Sequence, residues 1–193
     1  MFVRLLALCV MAVPAFAECV DYVSFTKGVT VRLEDGSVWS VHRDAHDVIR
    51  IDQKNGTGSY AKYVVGPYGV YQTESTRNGS ATVSEYHYIR TPPEPVARMD
   101  WTSNVKATTT KIGDTTVDKW REKVHVTAGT TEALKIGACR YTALGVDMGH
   151  LGGPYPTVQH FTYFPELRFG IQTRITYPAD TVKKAAILSM KAD

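Results

Sequence analysis

The sequence predicts an all-β protein: a strongly curved antiparallel sheet, half-barrel or barrel-like, with about eleven strands and little helix, and a sandwich of two sheets is the nearest alternative. Three observations lead to this prediction. Short segments alternate apolar and polar residues, turn pairs of the D-G and N-G type separate them, and Tyr and Trp are frequent. A period of two places one face of a strand in the core and the other in water, which is the antiparallel arrangement.

The first predicted hairpin shows how these signals combine. Apolar residues occupy every second position of Val29–Leu33, and residues 38–42 form the return strand. Asp35 and Gly36 lie between them. Glycine accepts the positive φ that tight hairpin turns require, so we expect these two strands to pair.

The remaining predicted strands follow the same style. They cover residues 47–52, 60–65, 70–74, 81–90, 101–109, 117–127, 134–142, 158–164, 170–177 and 181–190. Residues 117–126 would also suit a helical turn. Residues 92–95, P-P-E-P, end strand pairing and are expected at a corner within one domain. The glycine-rich residues 145–156 are predicted to be a loop, with a lid at a cavity mouth as the functional interpretation.

The first seventeen residues have the features of a secretory signal peptide. Arg4 precedes an apolar run over residues 5–13, and residues 15–17 match an A-x-A cleavage site. We therefore predict cleavage after Ala17, a single β-rich domain over residues 18–193, and a periplasmic or secreted location.

Two cysteines remain after that cleavage. Cys9 lies in the predicted signal peptide, which leaves Cys19 and Cys139. Two cysteines in an exported protein most simply form one disulfide, with free or metal-bound thiols as the alternatives. A thiol oxidoreductase is not expected, because the chain has no C-x-x-C pair.

Charge and hydropathy argue against nucleic-acid binding and against an integral membrane protein. Removing Arg4 from 22 basic residues leaves 21 against 19 acidic ones, and the basic residues are scattered. Nucleic-acid binding needs a concentrated positive face, so nucleic acid is not expected as a partner. No apolar segment after the signal peptide is long enough to cross a bilayer, so an integral membrane protein is not expected either.

Two segments carry a resemblance. V-H-V-T-A-G-T-T-E-A-L-K-I (residues 124–136) and Y-F-P-E-L-R-F-G-I (residues 163–171) resemble an A-G-T / P-E-L pattern shared by exported bacterial β-rich proteins of unknown function. Those proteins are similar in architecture to the periplasmic lipoprotein carrier and the outer-membrane lipoprotein receptor. The resemblance implies a half-barrel around an apolar cavity.

No catalytic site, metal site or cofactor is predicted. The chain lacks a G-x-S-x-G elbow, and His42 and His46 leave a strand at a turn, where their rings would not converge on a metal. Aromatic residues and one loop histidine are the candidate ligand-binding residues: Trp39, Trp101, Trp120, His150 and Tyr155.

The leading functional prediction is a non-enzymatic periplasmic or secreted protein. It binds an apolar or amphiphilic, lipid-like ligand, or a lipoprotein-like envelope protein, inside the curved sheet. One alternative is an envelope hydrolase that uses His150 and His160. Another is a structural or adaptor protein that presents a sheet edge. One scaffold hosts many functions, so the fold alone does not choose among them.

Overall fold

The computed structural model describes residues 19–44, 47–57, 61–77, 82–111, 113, 115–154, 156–178 and 183–193. Thirteen strands in these ranges form one antiparallel sheet, which curves into a nearly closed barrel shape. The predicted all-β, curved architecture is therefore confirmed. None of the helices in the described ranges is long and apolar enough to cross a membrane.

The strands run up and down in sequence order. They are β1 (Val29–Leu33), β2 (Val38–Arg43), β3 (Val48–Lys54), β4 (Ala61–Pro67), β5 (Glu74–Arg77), β6 (Thr82–Tyr88), β7 (Asp100–Lys111), β8 (Val117–Ile136), β9 (Cys139–Leu151), β10 (Thr157–Phe164), β11 (Phe169–Thr176), β12 (Lys183–Lys184) and β13 (Ile187–Ala192). Successive strands pair with each other from β1 to β12, and β13 returns to pair with β1.

The chain between β12 and β13 draws the two ends of the sheet together. Ala185 donates its backbone N–H to Thr173 of β11, and Ala186 accepts one from Glu34, which follows β1. Ala185 and Ala186 therefore bond to residues near opposite edges of the sheet. Because the chain passes from one edge to the other here, the single strand predicted over residues 181–190 is instead two strands.

The first hairpin forms as its turn residues predict. Gly36 has a φ of +80°, the left-handed region that favours glycine. Asp35 Oδ1 accepts the backbone N–H of Ser37 at 2.9 Å, and Gly36 donates its N–H to Leu33. β1 and β2 pair in the register that places Val31 opposite Trp39.

The predicted loop over residues 145–156 is wrong for its first half. Residues 145–151 belong to β9, which pairs with β8 on one side and β10 on the other. The separate strand predicted over residues 134–142 is also wrong, because these residues end β8, turn at Gly137 and begin β9. The glycines at 145 and 149 sit within paired backbone instead of marking a break.

The A-G-T segment, which resembles a turn in sequence, is an irregularity within β8. The register between β8 and β9 shifts between Ala128 and Thr131. An extra residue in one strand of a pair bends the strand and increases its twist, so this bulge helps to curl the sheet. Residues 117–126 form a regular part of β8, which confirms the strand prediction over the helical alternative.

Two hydrophobic cores lie on opposite faces of β9. Cys139, Tyr141 and Ala143 share one face, and Leu144, Val146 and Met148 share the other. The first core contains Phe25, Val29, Val31, Trp39, Val41, Ile49, Ile51, Tyr141, Phe164, Leu167, Phe169 and Ile171. The second contains Val70, Tyr71, Trp101, Val105, Val124, Val126, Leu144, Val146, Met148, Phe161 and Tyr163.

A short inward turn fills one end of the sheet's interior. Residues 70–73, predicted to be a strand, turn between β4 and β5, and Tyr71 becomes fully buried. Its ring packs edge-on against Trp101 at 5.6 Å and Tyr88 at 6.0 Å between centroids. Side chains therefore close the interior at this end, and the described residues leave a cavity at the other end.

A disulfide joins Cys19 to Cys139 across a sequence separation of 120 residues, with 5.6 Å between the Cα atoms. It confirms the predicted pairing. It fixes the start of the described chain to the first residue of β9, beside the four-residue helix α1 (Ser24–Lys27), which the sequence did not predict. Disulfides persist in oxidising compartments outside the cytoplasm.

A charged network ties three connections together. Arg43, at the end of β2, is buried and bonds to Asp47 and to the backbone oxygen of Leu167. Arg168 lies 2.7 Å from both Asp47 and Glu94. Glu94 belongs to the P-P-E-P segment, which lies between β6 and β7. The network therefore holds this connection against the turn between β10 and β11.

Candidate functional site

A cavity of about 500 Å³ lies at the open end of the curved sheet. Its wall comes from inward-facing positions of consecutive strands and from the chain beside them. The lining residues are Lys62, Gln72, Ser75, Thr82, Ser84, Tyr86, Thr109, Trp120, Glu122, His150, Thr157, Gln159, Ile175 and Tyr177. Most of these side chains carry a hydroxyl, amide, imidazole or charged group, and three aromatic rings and one isoleucine supply apolar surface.

Strand alternation places the central residues of the site. On β8, Trp120 and Glu122 share a face with Val124 and Val126, which are fully buried. β8 pairs with β9 so that Val124 lies opposite His150. The same inward face therefore carries apolar residues in the core and polar residues at the open end.

Glu122 and His150 form a buried pair. The exposed fractions of their side chains are 5% and 8%, and Glu122 Oε1 lies 2.7 Å from His150 Nδ1. The second carboxylate oxygen, Oε2, accepts the indole N–H of Trp120 at 3.2 Å. Both oxygens of this carboxylate thus have a donor, which is what a buried charged group requires.

Both ring nitrogens of His150 have hydrogen-bond partners. Nδ1 lies 2.7 Å from Glu122 Oε1. The amide nitrogen of Gln159 lies 3.4 Å from Nε2 and donates toward it. His150 is therefore held from both sides, and its Nε2 faces the cavity wall that Gln159 forms.

Packing also fixes the orientation of this pair. Tyr86 lies edge-on to Trp120 and to His150, with 6.4 Å between ring centroids in each case. A Cβ at Gly153 would lie 2.6 Å from Glu122 Oε2, so the chain passes close over the carboxylate. The lack of a side chain at Gly153 leaves room for Glu122.

A second polar group lies across the cavity. Lys62 Nζ donates to Gln72 Oε1 at 3.3 Å, and Gln72 donates to Ser75 Oγ at 2.8 Å. Ser84 and Thr109 share a hydrogen bond of 2.9 Å on neighbouring strands. The cavity therefore has the Glu122–His150 pair on one side and the hydrogen-bonded chain Lys62–Gln72–Ser75 on another.

The hydroxyl groups of two tyrosines, Tyr71 and Tyr88, are buried. Burial raises the pKa of the Tyr88 hydroxyl, and the nearby Glu122 carboxylate raises it further. Burial also raises the pKa of Tyr71. Neither hydroxyl has a hydrogen-bond partner among the described residues. Both phenols stay protonated at ordinary pH, so they add no charge near the Glu122–His150 pair.

The structure brings two of the five candidate residues together. Trp120 and His150 line the cavity. Trp39 lies in the first core and Trp101 in the second, where both are buried, and Tyr155 lies outside the described residues. Any role of the five in ligand binding remains a prediction.

Sequence reasoning missed Glu122 and Gln159. A signal for Glu122 existed, because it has the same parity as Val124 and Val126 and therefore belongs to the buried face. Its partner was not predictable from spacing, because the ladder between β8 and β9 decides which histidine meets which carboxylate.

His150 and His160 do not share a site. His150 faces the cavity, whereas His160 pairs with Asp147 across β9 and β10 on the opposite face of the sheet. His160 Nδ1 lies 2.6 Å from Asp147 Oδ1, and Nε2 lies 3.0 Å from Thr176 Oγ1. Each histidine therefore has its own carboxylate.

Replacing Glu122 with glutamine should lower the free energy of unfolding by about 1–2 kcal/mol. The change keeps the shape but replaces charge-assisted hydrogen bonds with neutral ones. Urea denaturation monitored by circular dichroism measures it. Glu85→Gln is the matched control, because that carboxylate lies 3.8 Å from an exposed His87 and should change stability by less than about 0.5 kcal/mol. Equal losses in the two variants would contradict a buried pair.

Among the described residues, no group of three or more His, Cys, Asp or Glu side chains is placed to hold a metal ion. What the cavity offers is hydrogen bonding, one carboxylate, one ammonium and aromatic surface.

Comparison of the chain with protein-family models, curated proteins and solved structures finds no match.

Proposed function

We propose that this protein is a non-enzymatic, exported binding protein that holds an amphiphilic small molecule in the cavity at the open end of its sheet. The observation that carries the proposal is the mixed lining of a cavity of about 500 Å³. Sites for small molecules are usually concavities of roughly 300–1,000 Å³ with a few placed polar groups.

The lining favours an amphiphile over a wholly apolar ligand. A wholly apolar molecule would remove water from the amides of Gln72 and Gln159 and could not bond the donor and acceptor sites that their bonds within the protein leave over. Removing water from such sites without replacing its hydrogen bonds costs free energy. An amphiphile satisfies both parts of the wall, because its polar end bonds to the amides and charges while its apolar part contacts Trp120 and Tyr86.

The rest of the interior supports a small ligand. Tyr71 and Val70 fill the opposite end, so the described part of the chain leaves a long acyl chain no continuous apolar channel through the sheet. A small amphiphile, or the end of a larger one, fits the open part. The resemblance to lipoprotein-carrier architecture agrees with this proposal only at the level of a nearly closed, curved sheet.

Export is supported by two separate observations. The Cys19–Cys139 disulfide is typical of proteins in an oxidising compartment, and the first seventeen residues match a signal peptide.

Native mass spectrometry of protein purified from its own compartment tests the whole proposal. We expect an added mass of lipid or amphiphile size that organic solvent removes. Protein that carries no ligand and binds no added amphiphile would overturn it.

A cavity-filling substitution tests the place of binding. Ser84→Phe puts a ring into the cavity, whereas His87→Phe puts the same ring on the outer face of β6. We expect Ser84→Phe to weaken the binding of anilinonaphthalene sulfonate, an amphiphilic fluorescent probe, by at least about tenfold. His87→Phe should leave probe binding within about twofold of wild type. Equal binding by both variants would place the probe elsewhere. These factors follow from filling a small-molecule site or leaving it open.

A further inference from the structure

The outer face of the sheet carries a group of cations directly behind the cavity wall. Arg121 and Lys123 alternate along β8 with Trp120 and Glu122, so they point away from the cavity. Lys106 of β7 lies opposite Arg121 in the ladder. We call Lys106, Arg121 and Lys123 the cationic face.

The pairing of Lys106 with Arg121 is unfavourable by itself. Side chains directly opposite each other on one face of an antiparallel pair are close neighbours, and like charges there repel. Both residues are exposed, and no ion pair joins either of them, or Lys123, to a carboxylate within the described parts of the chain. Glu85 is the carboxylate on the neighbouring strand, and it lies near His87 and Thr108 instead.

Exposed aliphatic side chains flank the cationic face. Ile89 follows β6 and is 59% exposed, and Leu151 ends β9 and is 46% exposed. Lys123 lies opposite Leu151 in the ladder. These five residues line a shallow depression of about 490 Å³, together with Asn104, Val105, Glu122 and Gly152. Glu122 binds His150 and Trp120 on the cavity side, so its carboxylate does not neutralise the three cations.

The spacing of these groups suits an extended anionic surface as the partner better than it suits a small anion. A small anion needs donors that converge on one point. Here the cations lie on two strands, and the aliphatic residues extend the set across four strands, about 14 Å at the usual strand spacing. A broad cationic face with aliphatic residues at its sides is complementary to anionic lipid headgroups above an acyl layer.

We propose that the cationic face docks this protein onto a bilayer surface that contains anionic lipid. Lys106, Arg121 and Lys123 lie against the headgroups, and Ile89 and Leu151 contact the acyl boundary. Docking brings the outer face of β8 to the membrane, with the cavity on its other face. The proposal concerns a different surface from the cavity and does not depend on what the cavity holds.

Vesicle co-sedimentation of the full protein tests this. We expect wild type to partition onto phosphatidylcholine vesicles that contain one quarter phosphatidylglycerol and not onto pure phosphatidylcholine, and added salt should weaken the binding. Each Lys or Arg near an anionic surface contributes about fivefold, so Lys106→Gln with Arg121→Gln should reduce partitioning about 25-fold.

The chain supplies a matched control. Lys135 and Arg140 form another exposed like-charge pair, opposite each other at the far end of the β8–β9 hairpin. Neutralising both removes the same net charge and should change partitioning by less than about twofold. Equal losses in the two double variants, no preference for anionic vesicles, or equally tight binding of dispersed short-chain phosphatidylglycerol would each overturn the proposal.

Discussion

Replacing Gly66 with alanine is expected to prevent folding or to lower the free energy of unfolding by more than about 4 kcal/mol. A Cβ at this position would lie 1.6 Å from the carbonyl oxygen of Tyr71 and 2.6 Å from its carbonyl carbon. Both are backbone atoms, so a change of side-chain rotamer cannot relieve the overlap. The chain must move at one of the two positions.

Either movement damages the core. Gly66 lies in β4 opposite Ile49, and the turn beside it is held by bonds from Tyr71 N to Pro67 O and from Thr73 N to Val65 O. Moving the turn displaces the Tyr71 ring from its contacts with Trp101 and Tyr88. Displacing a buried aromatic ring typically costs about 3–5 kcal/mol, because the contacts are lost and a cavity forms.

Gly145→Ala is the matched control. Gly145 also lies within a paired strand, but its Cβ would have no heavy atom within 4 Å. Alanine there should change the free energy of unfolding by less than about 1 kcal/mol, with a gain expected from reduced freedom of the unfolded chain. Urea denaturation and near-ultraviolet circular dichroism compare the two variants. A Gly66→Ala protein with wild-type stability would show that Tyr71 does not pack under β4 as described.

The sequence predicts the strands well where one face is continuously buried. Every second residue of Val29–Leu33 is buried, and the D-G pair that follows favours a tight turn into the next strand. Residues 170–177 also form a strand, but a bulge at Thr173 interrupts their alternation, so Ile171 lies in the first core and Ile175 lines the cavity. The disulfide was predictable because only two cysteines remain after the predicted cleavage. These features depend on local periodicity or on counting.

The predictions that were wrong concern residues whose structure depends on the whole sheet. Residues 128–133 separate two predicted strands, yet long pairing of β8 with β9 makes them part of β8, with a bulge between Ala128 and Thr131. Residues 70–73 alternate weakly, and Tyr71 becomes buried only because the curved sheet leaves a space at that end. Local preference loses to tertiary contacts in both places.

The candidate site was predictable only in part. Aromatic and histidine content singled out Trp120 and His150, which the structure places in one cavity. Trp120 and His150 form hydrogen bonds with Glu122, and His150 also contacts Gln159. These residues come together only because of the register in which their strands pair. A one-residue slip of β8 would turn Glu122 to the outer face and Arg121 inward.

Replacing Cys19 and Cys139 with serine is expected to lower the free energy of unfolding by about 4 kcal/mol. The bond spans 120 residues, and for a loop of that length the chain-entropy model assigns roughly 5 kcal/mol. Measured losses on removing native disulfides fall at about 2–5 kcal/mol, because the unfolded chain keeps some structure.

The variant should still fold, because the segment next to Cys19 has contacts of its own. Val20 and Phe25 are buried in the first core, and the Phe25 ring lies 4.8 Å from that of Phe169. The disulfide therefore restricts the unfolded chain more than it creates native contacts. We expect unchanged far-ultraviolet circular dichroism and a lower urea midpoint.

Reduced wild type provides the control for this last change. With dithiothreitol present it should unfold at the same urea concentration as the double serine variant, because both lack the cross-link and keep the same core. Alkylation before reduction should find no thiol at Cys19 or Cys139. A loss below about 1 kcal/mol would contradict this account, because it would mean that opening the 120-residue loop gives the unfolded chain little additional freedom. In that case the stabilising effect lies in the packing of α1 and not in the closed loop.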